Sequence, residues 1–178
     1  MVGKKLDSQE VVAAISRMKR FPIIVYCSFI SNFPGENAED VKRTTKMIAS
    51  LIAANPNFRN SPVYQYVPIP GTEIAAKAEE SGCRRPESYE EWGDISFEQG
   101  CGIDSAGLGR KFFRALYFVT LFCDGKYKEY IDSPVIKFLS SLYRPIALLR
   151  LRRVLFNPIP EMRLFFALKK WAEKRAGA

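Results

Sequence analysis

Phe29-Ile30-Ser31-Asn32-Phe33-Pro34-Gly35-Glu36-Asn37-Ala38-Glu39-Asp40 and Tyr66-Val67-Pro68-Ile69-Pro70-Gly71-Thr72-Glu73 are the two stretches that decide the fold. Each begins as an apolar run of β type, breaks at a Pro-Gly pair and restarts as a helix. Their separation is that of a βαβ unit. In a parallel α/β fold such turns lie at the carboxyl ends of the strands, where ligands bind.

The neighbouring sequence extends this pattern in both directions. Asp7 or Ser8 can cap a helix running to about Arg20, with Val11, Ile15 and Met18 at helical spacing. Phe21 to Ile30 reads as a strand, because the contiguous Ile23, Ile24 and Val25 suit a parallel strand covered on both faces. Asn37 caps a helix to about Ala54, with Glu39 and Asp40 opposing the helix dipole and Val41, Thr45, Ile48 and Ile52 as its inner stripe. Ser61 to Val67 is a second strand, Thr72 caps a short helix to about Ser81, and Gly82 stops it. Ser88-Tyr89-Glu90-Glu91 is a capping box leading into Trp92. Residues 95–105 read as an irregular, glycine-rich connection. The rest reads as helices over about 107–124, 134–156 and 160–175, punctuated by Pro134, Pro145, Pro158 and Pro160.

The fold class is therefore α/β: two parallel strands with flanking helices, a piece of a (β/α) barrel, followed by an α-helical tail. Residues 1–98 form the barrel part, and residues 99–178 a linker and a basic helical region. Two strands do not close a layer, and so apolar a sheet edge needs a partner. The expectation is that a larger sheet or barrel is completed by another part of the protein or by a separate chain.

Composition removes whole classes of chemistry. The 178 residues suit one ordinary domain and are too few for a full eight-fold barrel of ~250 residues. There is no histidine, which excludes Ser-His-Asp and Cys-His catalysis, HExxH zinc sites and histidine pH switching. Cys27, Cys83, Cys101 and Cys123 form no CxxC pair, so no metal-binding spacing is present. They read as buried thiols in a reducing, cytoplasmic setting. The longest apolar stretch, Ala115 to Cys123, falls well short of the ~18 residues of a membrane span. The net charge of +8 lies entirely in residues 137–178, which hold ten Lys/Arg and two acids; the remainder has 17 of each sign. The α/β part thus has no electrostatic case for nucleic acid.

The two turns carry the local chemistry. Pro34-Gly35 turns the chain sharply and lets it approach a ligand. Ser31 and Asn32 offer uncharged donors and acceptors, Glu36 a carboxylate just before a helix cap, and Gln65 and Tyr66 an amide and a phenol at the second strand end. Taken singly, each turn reads as a rigid connection with a solvated charge. The same device at two consecutive strands points to a shared rim.

Together, "FISNFPGENAEDV", "VYQYVPIPGTEIAAKAEESG" and "PESYEEW" resemble the carboxyl-terminal half of the radical S-adenosylmethionine domain, in the subgroup usually fused to a cobalamin-binding domain. In that subgroup the fifth strand ends in a pattern like G-F-P-G-E-T-x-x-D and the sixth in P-x-P-G-T-x-L. The similarity covers about residues 3–98. It implies a partial barrel in which a four-iron, four-sulfur cluster cleaves S-adenosylmethionine to a radical. Phe29, Ile30, Ser31, Asn32, Pro34, Gly35 and Glu36 would pack on and bond the adenosyl part. Gln65, Tyr66 and Val67 would lie beside the adenine and substrate. Asn32 stands where the family has Gly, and Asn37 where it has Thr. The CxxxCxxC motif is absent, so the cluster ligands would lie outside this chain, which supplies no catalytic and no metal-ligating residue. The implied partners are the missing amino-terminal barrel half and a small-molecule or lipid substrate; the use of cobalamin is left open.

The alternative is a non-catalytic interaction module. Its basic tail, with Arg150, Arg152 and Arg153 among leucines and Leu164, Leu168 and Trp171 at helical spacing, would bind a membrane surface or an anionic partner. Against it, Arg144, Arg150, Arg152 and Arg153 spread around the helix, as in a packed helix pair. A free-standing nucleotide-binding domain is weaker still, since neither turn contains GxGxxG or GxxxxGK[ST].

Overall fold

The computed structural model describes residues 7–124, 134–157 and 159–176. Among these the fold is α/β, with two parallel strands and flanking helices. The first helix, α1 (Ser8–Met18), starts where the Asp7 side chain accepts the Gln9 and Glu10 N–H groups. Strand β1 (Val25–Ser31) leads through the first Pro-Gly turn into α2 (Ala38–Ala54). Asn37 and Asp40 form a complete capping box at the start of α2. The chain then enters β2 (Phe58–Gln65), α3 (Glu73–Glu80) capped by Thr72, and α4 (Tyr89–Asp94) capped by Ser88. After the 95–105 connection come α5 (Gly109–Cys123), α6 (Pro134–Arg153) and α7 (Pro160–Ala176).

The strands pair from Val25↔Phe58 to Ser31↔Gln65, with an irregularity between Cys27 and Phe29. There Ser61 and Pro62 of β2 stand opposite Ser28 alone, which makes a bulge at the residue that cannot donate to a ladder. The Ser61 hydroxyl repairs the gap by accepting the Phe29 N–H at 3.0 Å.

One face of the pair carries Val25, Cys27 and Phe29, which pack with Ile15 of α1 and Leu51 of α2 around Phe58. Along the outer edge of β2 runs α5. The Thr120 hydroxyl accepts the Val63 N–H, and the Asn60 amide donates to the Thr120 carbonyl, both at 2.9 Å. Phe113, Leu116, Phe118, Val119 and Phe122 of α5 then join Val41 and Ile48 of α2, Val63 of β2 and Ala147 and Leu151 of α6 in one core. Each fully buried Leu or Phe contributes about 1.5–3 kcal/mol. The core is continuous across residue 98.

The structure departs from the expected boundaries in a few places. β1 begins at Val25, not Phe21, because β2 starts pairing only at Phe58, and the exposed Phe21, Ile23 and Ile24 precede the ladder. β2 begins three residues earlier than Ser61 and ends at Gln65. Leu51, not Ile52, completes the buried stripe of α2. Pro145 lies inside α6 without ending it. Pro158 and the side chains of Lys169, Lys170, Trp171, Lys174 and Arg175 lie outside the described residues. No helix among the described residues is long and apolar enough to cross a membrane.

Candidate functional site

Parallel pairing of Ser31 with Gln65 brings both strand exits to one rim. The first exit is built by its own sequence. Asn32 takes a left-handed backbone (φ 65), which Asn tolerates better than most residues. Pro34 and Gly35 (φ 80) then form a turn closed by the Glu36 N–H on the Phe33 carbonyl at 2.9 Å. Proline followed by a positive-φ glycine is the chemistry of a type II turn. Glu36 folds back over that turn. Its Oε2 accepts the Asn32 N–H, the Phe33 N–H at 3.2 Å and the Ser31 hydroxyl at 3.2 Å. Burial pushes the Glu36 carboxyl above its ordinary range, and these three donors only partly offset the effect.

The second exit is held by the 95–105 connection. The Gln65 N–H donates to the Phe97 carbonyl at 2.7 Å, and its side-chain amide donates to the Glu98 carbonyl. Asn32 ties the two exits together. Its amide donates to Gln65 Oε1 at 3.2 Å and to the Ile103 carbonyl at 2.6 Å, and its Oδ1 accepts the Ser105 N–H at 3.2 Å. The Tyr66 N–H donates to the Ser31 carbonyl at 2.9 Å, and the Tyr66 ring packs on Phe33 at 5.1 Å.

Ser31, Asn32, Glu36, Gln65 and Tyr66 are therefore brought together and buried, in a polar knot under residues 97–105. Pro34 and Gly35 lie on the tip of the first turn, and Val67 is half-buried just past the second strand. Phe29 is not part of the rim: it points into the core, packed with α1 and α2. Ile30 faces the opposite side of the sheet and is 45% exposed.

Sequence reading gave 95–105 as an irregular connection, as it is, but not its role in holding the rim, because its contacts come mainly from backbone carbonyls. One signal was present. Gly100 has φ 63, and a Cβ there would stand 2.7 Å from Gln65 Cβ, so the glycine marks a close approach. Beyond this segment a cleft of about 640 Å³ reaches Gln65, with Glu91 and Asp94 on one wall and Arg110, Lys111 and Arg114 on another.

The rim offers hydrogen-bonding groups and aromatic rings. Its one carboxylate is committed to the turn. Among the described residues no group of three or more His, Cys, Asp or Glu side chains could hold a metal ion. A four-iron, four-sulfur cluster therefore does not fit the described residues by themselves. The Tyr66 ring packs on Phe33, and its phenol, raised above its ordinary pKa by burial, is directed toward Thr72 and Cys83, which flank α3. All four cysteines are free thiols. Burial pushes Cys83 and Cys123 up to about 12, so these two stay protonated at neutral pH.

Within the basic tail Arg150 is engaged in packing, while Lys137, Arg152, Arg153 and Arg163 are exposed. Arg150 Nε lies 2.6 Å from Glu161, which also accepts the Tyr143 hydroxyl at 3.3 Å. Ala147 and Leu151 of the same helix are fully buried. No protein-family model, curated protein or solved structure matches the chain. The functional reading thus rests on the two exits and on the sheet that carries them.

Proposed function

We propose that this chain is the carboxyl-terminal part of a radical S-adenosylmethionine enzyme, in which β1 and β2 are the last strands of a partial β/α barrel. The observation that carries the reading is the Ser31↔Gln65 register. It sets the P-G-E turn and the P-x-P-G-T turn side by side, as a shared adenosyl and substrate rim requires. The open outer edge of β1 supports the same reading, since a preceding barrel strand would pair there. In this assembly Glu36 shapes the first turn rather than touching the ligand, and Pro34, Gly35, Tyr66 and Val67 border the adenosyl part. Residues of the amino-terminal half would hold the cluster, which would supply the electron for cleavage of S-adenosylmethionine. On this reading the enzyme works in the cytoplasm, with any membrane contact peripheral and through the tail.

Iron and acid-labile sulfide, measured after anaerobic reconstitution, test this directly. The reading frame extended upstream is expected to hold about four of each per polypeptide, and this chain alone none. Absence of a cluster from both forms overturns the proposal.

A further inference from the structure

A second cleft lies between the start of α5, the turn after α6 and the start of α7. Its volume is about 620 Å³, within the ~300–1,000 Å³ of ordinary ligand pockets. Helical spacing builds its walls. Lys111, Arg114 and Ala115 fall at i, i+3 and i+4 on α5, and Met162, Arg163 and Phe166 line the facing side of α7. Phe156 and Ile159 are buried members of the lining.

The lining divides by chemistry. Three cations, Lys111, Arg114 and Arg163, line the cleft, and among the described residues no carboxylate does. Glu161, the acid in the first turn of α7, points instead to Arg150 of α6. Glu98 approaches Arg114 only to 3.8 Å, and Lys111 and Arg163 make no ion pair among the described residues. Helix stability does not explain these charges. The first turn of α5 has no acid, and cations there oppose the helix dipole. The nearby Asp104 is taken up by the Leu108 and Gly109 N–H groups at 3.0 and 2.9 Å.

We infer that this cleft binds a single-chain anionic amphiphile as a monomer, with a phosphate head on Lys111, Arg114 and Arg163 and an alkyl chain along Phe156, Ile159, Met162 and Phe166. Charge complementarity selects the head, and the apolar lining selects the tail. A concave site takes one molecule, where a flat basic face would take a bilayer. The inference goes beyond the radical-enzyme reading and does not depend on it.

Calorimetric titration of the full chain with decyl phosphate, kept below its micelle threshold, tests it. Decyl phosphate is expected to bind at least tenfold more tightly than inorganic phosphate or decanol. The exposed pair Lys111→Gln and Arg163→Gln, checked for an unchanged melting curve, weakens it at least tenfold. Arg152→Gln with Arg153→Gln, outside the cleft, leaves it unchanged. Equal affinity for decyl phosphate and inorganic phosphate overturns the inference, as does equal loss in both double variants. Binding to anionic vesicles without binding to the monomer overturns it in favour of a membrane surface.

Discussion

β1 and β2 belong to one parallel pair, yet their outer edges are treated in opposite ways. The outer edge of β2 is closed. Val63 donates to the Thr120 hydroxyl and Gln65 to the Phe97 carbonyl, so donors that would meet another strand are met by a helix and a loop. The outer edge of β1 has no strand beside it among the described residues. Val25, Phe29 and Ser31 direct their backbone groups to the β2 side, which leaves Ser28 and Ile30 directed outward. Exposed Phe21, Ile23, Ile24 and Ile30 flank that edge. Isolated proteins normally blunt such edges with charge, proline or cover. Among the described residues the sheet is thus finished on one side and open on the other, and in the proposed barrel an earlier strand would lie on the open side.

Gly100→Ala is the change expected to break the closed edge most severely. It forces a non-glycine residue to φ 63 and drives a Cβ to 2.7 Å from Gln65 Cβ and 3.1 Å from the Tyr66 carbonyl. Positive-φ strain and the backbone shift together should cost about 2–4 kcal/mol, read from the urea midpoint at constant slope. A loss under about 0.5 kcal/mol would mean that the segment does not hold β2 in solution.

That segment also marks the limit of what the sequence disclosed. Caps and turns were legible because their chemistry is side-chain chemistry. Asn37 and Thr72 cap α2 and α3 as their types require, and Pro34-Gly35 makes the turn it spells. Side chains alone did not reveal where polar groups would be spent. Asn32, Glu36 and Gln65 looked like free ligand groups, but the carbonyls of Glu98 and Ile103, the Asn32–Gln65 bond and the amides of the first turn consume much of their side-chain hydrogen-bonding capacity. Strand limits were also hidden, because pairing depends on the partner. The β-branched Ile23 and Ile24 have the right propensity and no strand to meet.

Glu36→Gln sharpens the contrast on the buried side of the rim. The carboxyl is raised above its ordinary value of 4.5, so between 4.5 and that higher value the folded state holds more protons than the unfolded one. The contribution of Glu36 to stability is therefore fully present below 4.5 and is lost as pH rises through the elevated value. Gln keeps the size and an acceptor for the Asn32 and Phe33 N–H groups but does not titrate. Urea midpoints measured from pH 4.5 upward should fall less steeply for the variant than for the natural chain. Parallel curves would show that the clasp is ionised at its ordinary pKa and that burial is not the dominant influence.

Ile30→Lys probes the open edge, where the expected effect on folding is smallest. Ile30 is 45% exposed and sits outside all three apolar clusters. Its replacement should change stability by no more than about 0.5 kcal/mol. Association is the informative readout. An unpaired, apolar strand edge is a template for pairing, and an added charge disfavours that. The natural chain should therefore self-associate with rising concentration in sedimentation equilibrium, and Ile30→Lys should shift the association to at least tenfold higher concentration. A natural chain that stays monomeric and unfolds in one sharp, concentration-independent transition would mean that β1 needs no partner. The asymmetry of the two edges would then be a property of a self-sufficient domain, and the barrel reading would rest on the Ser31↔Gln65 register alone.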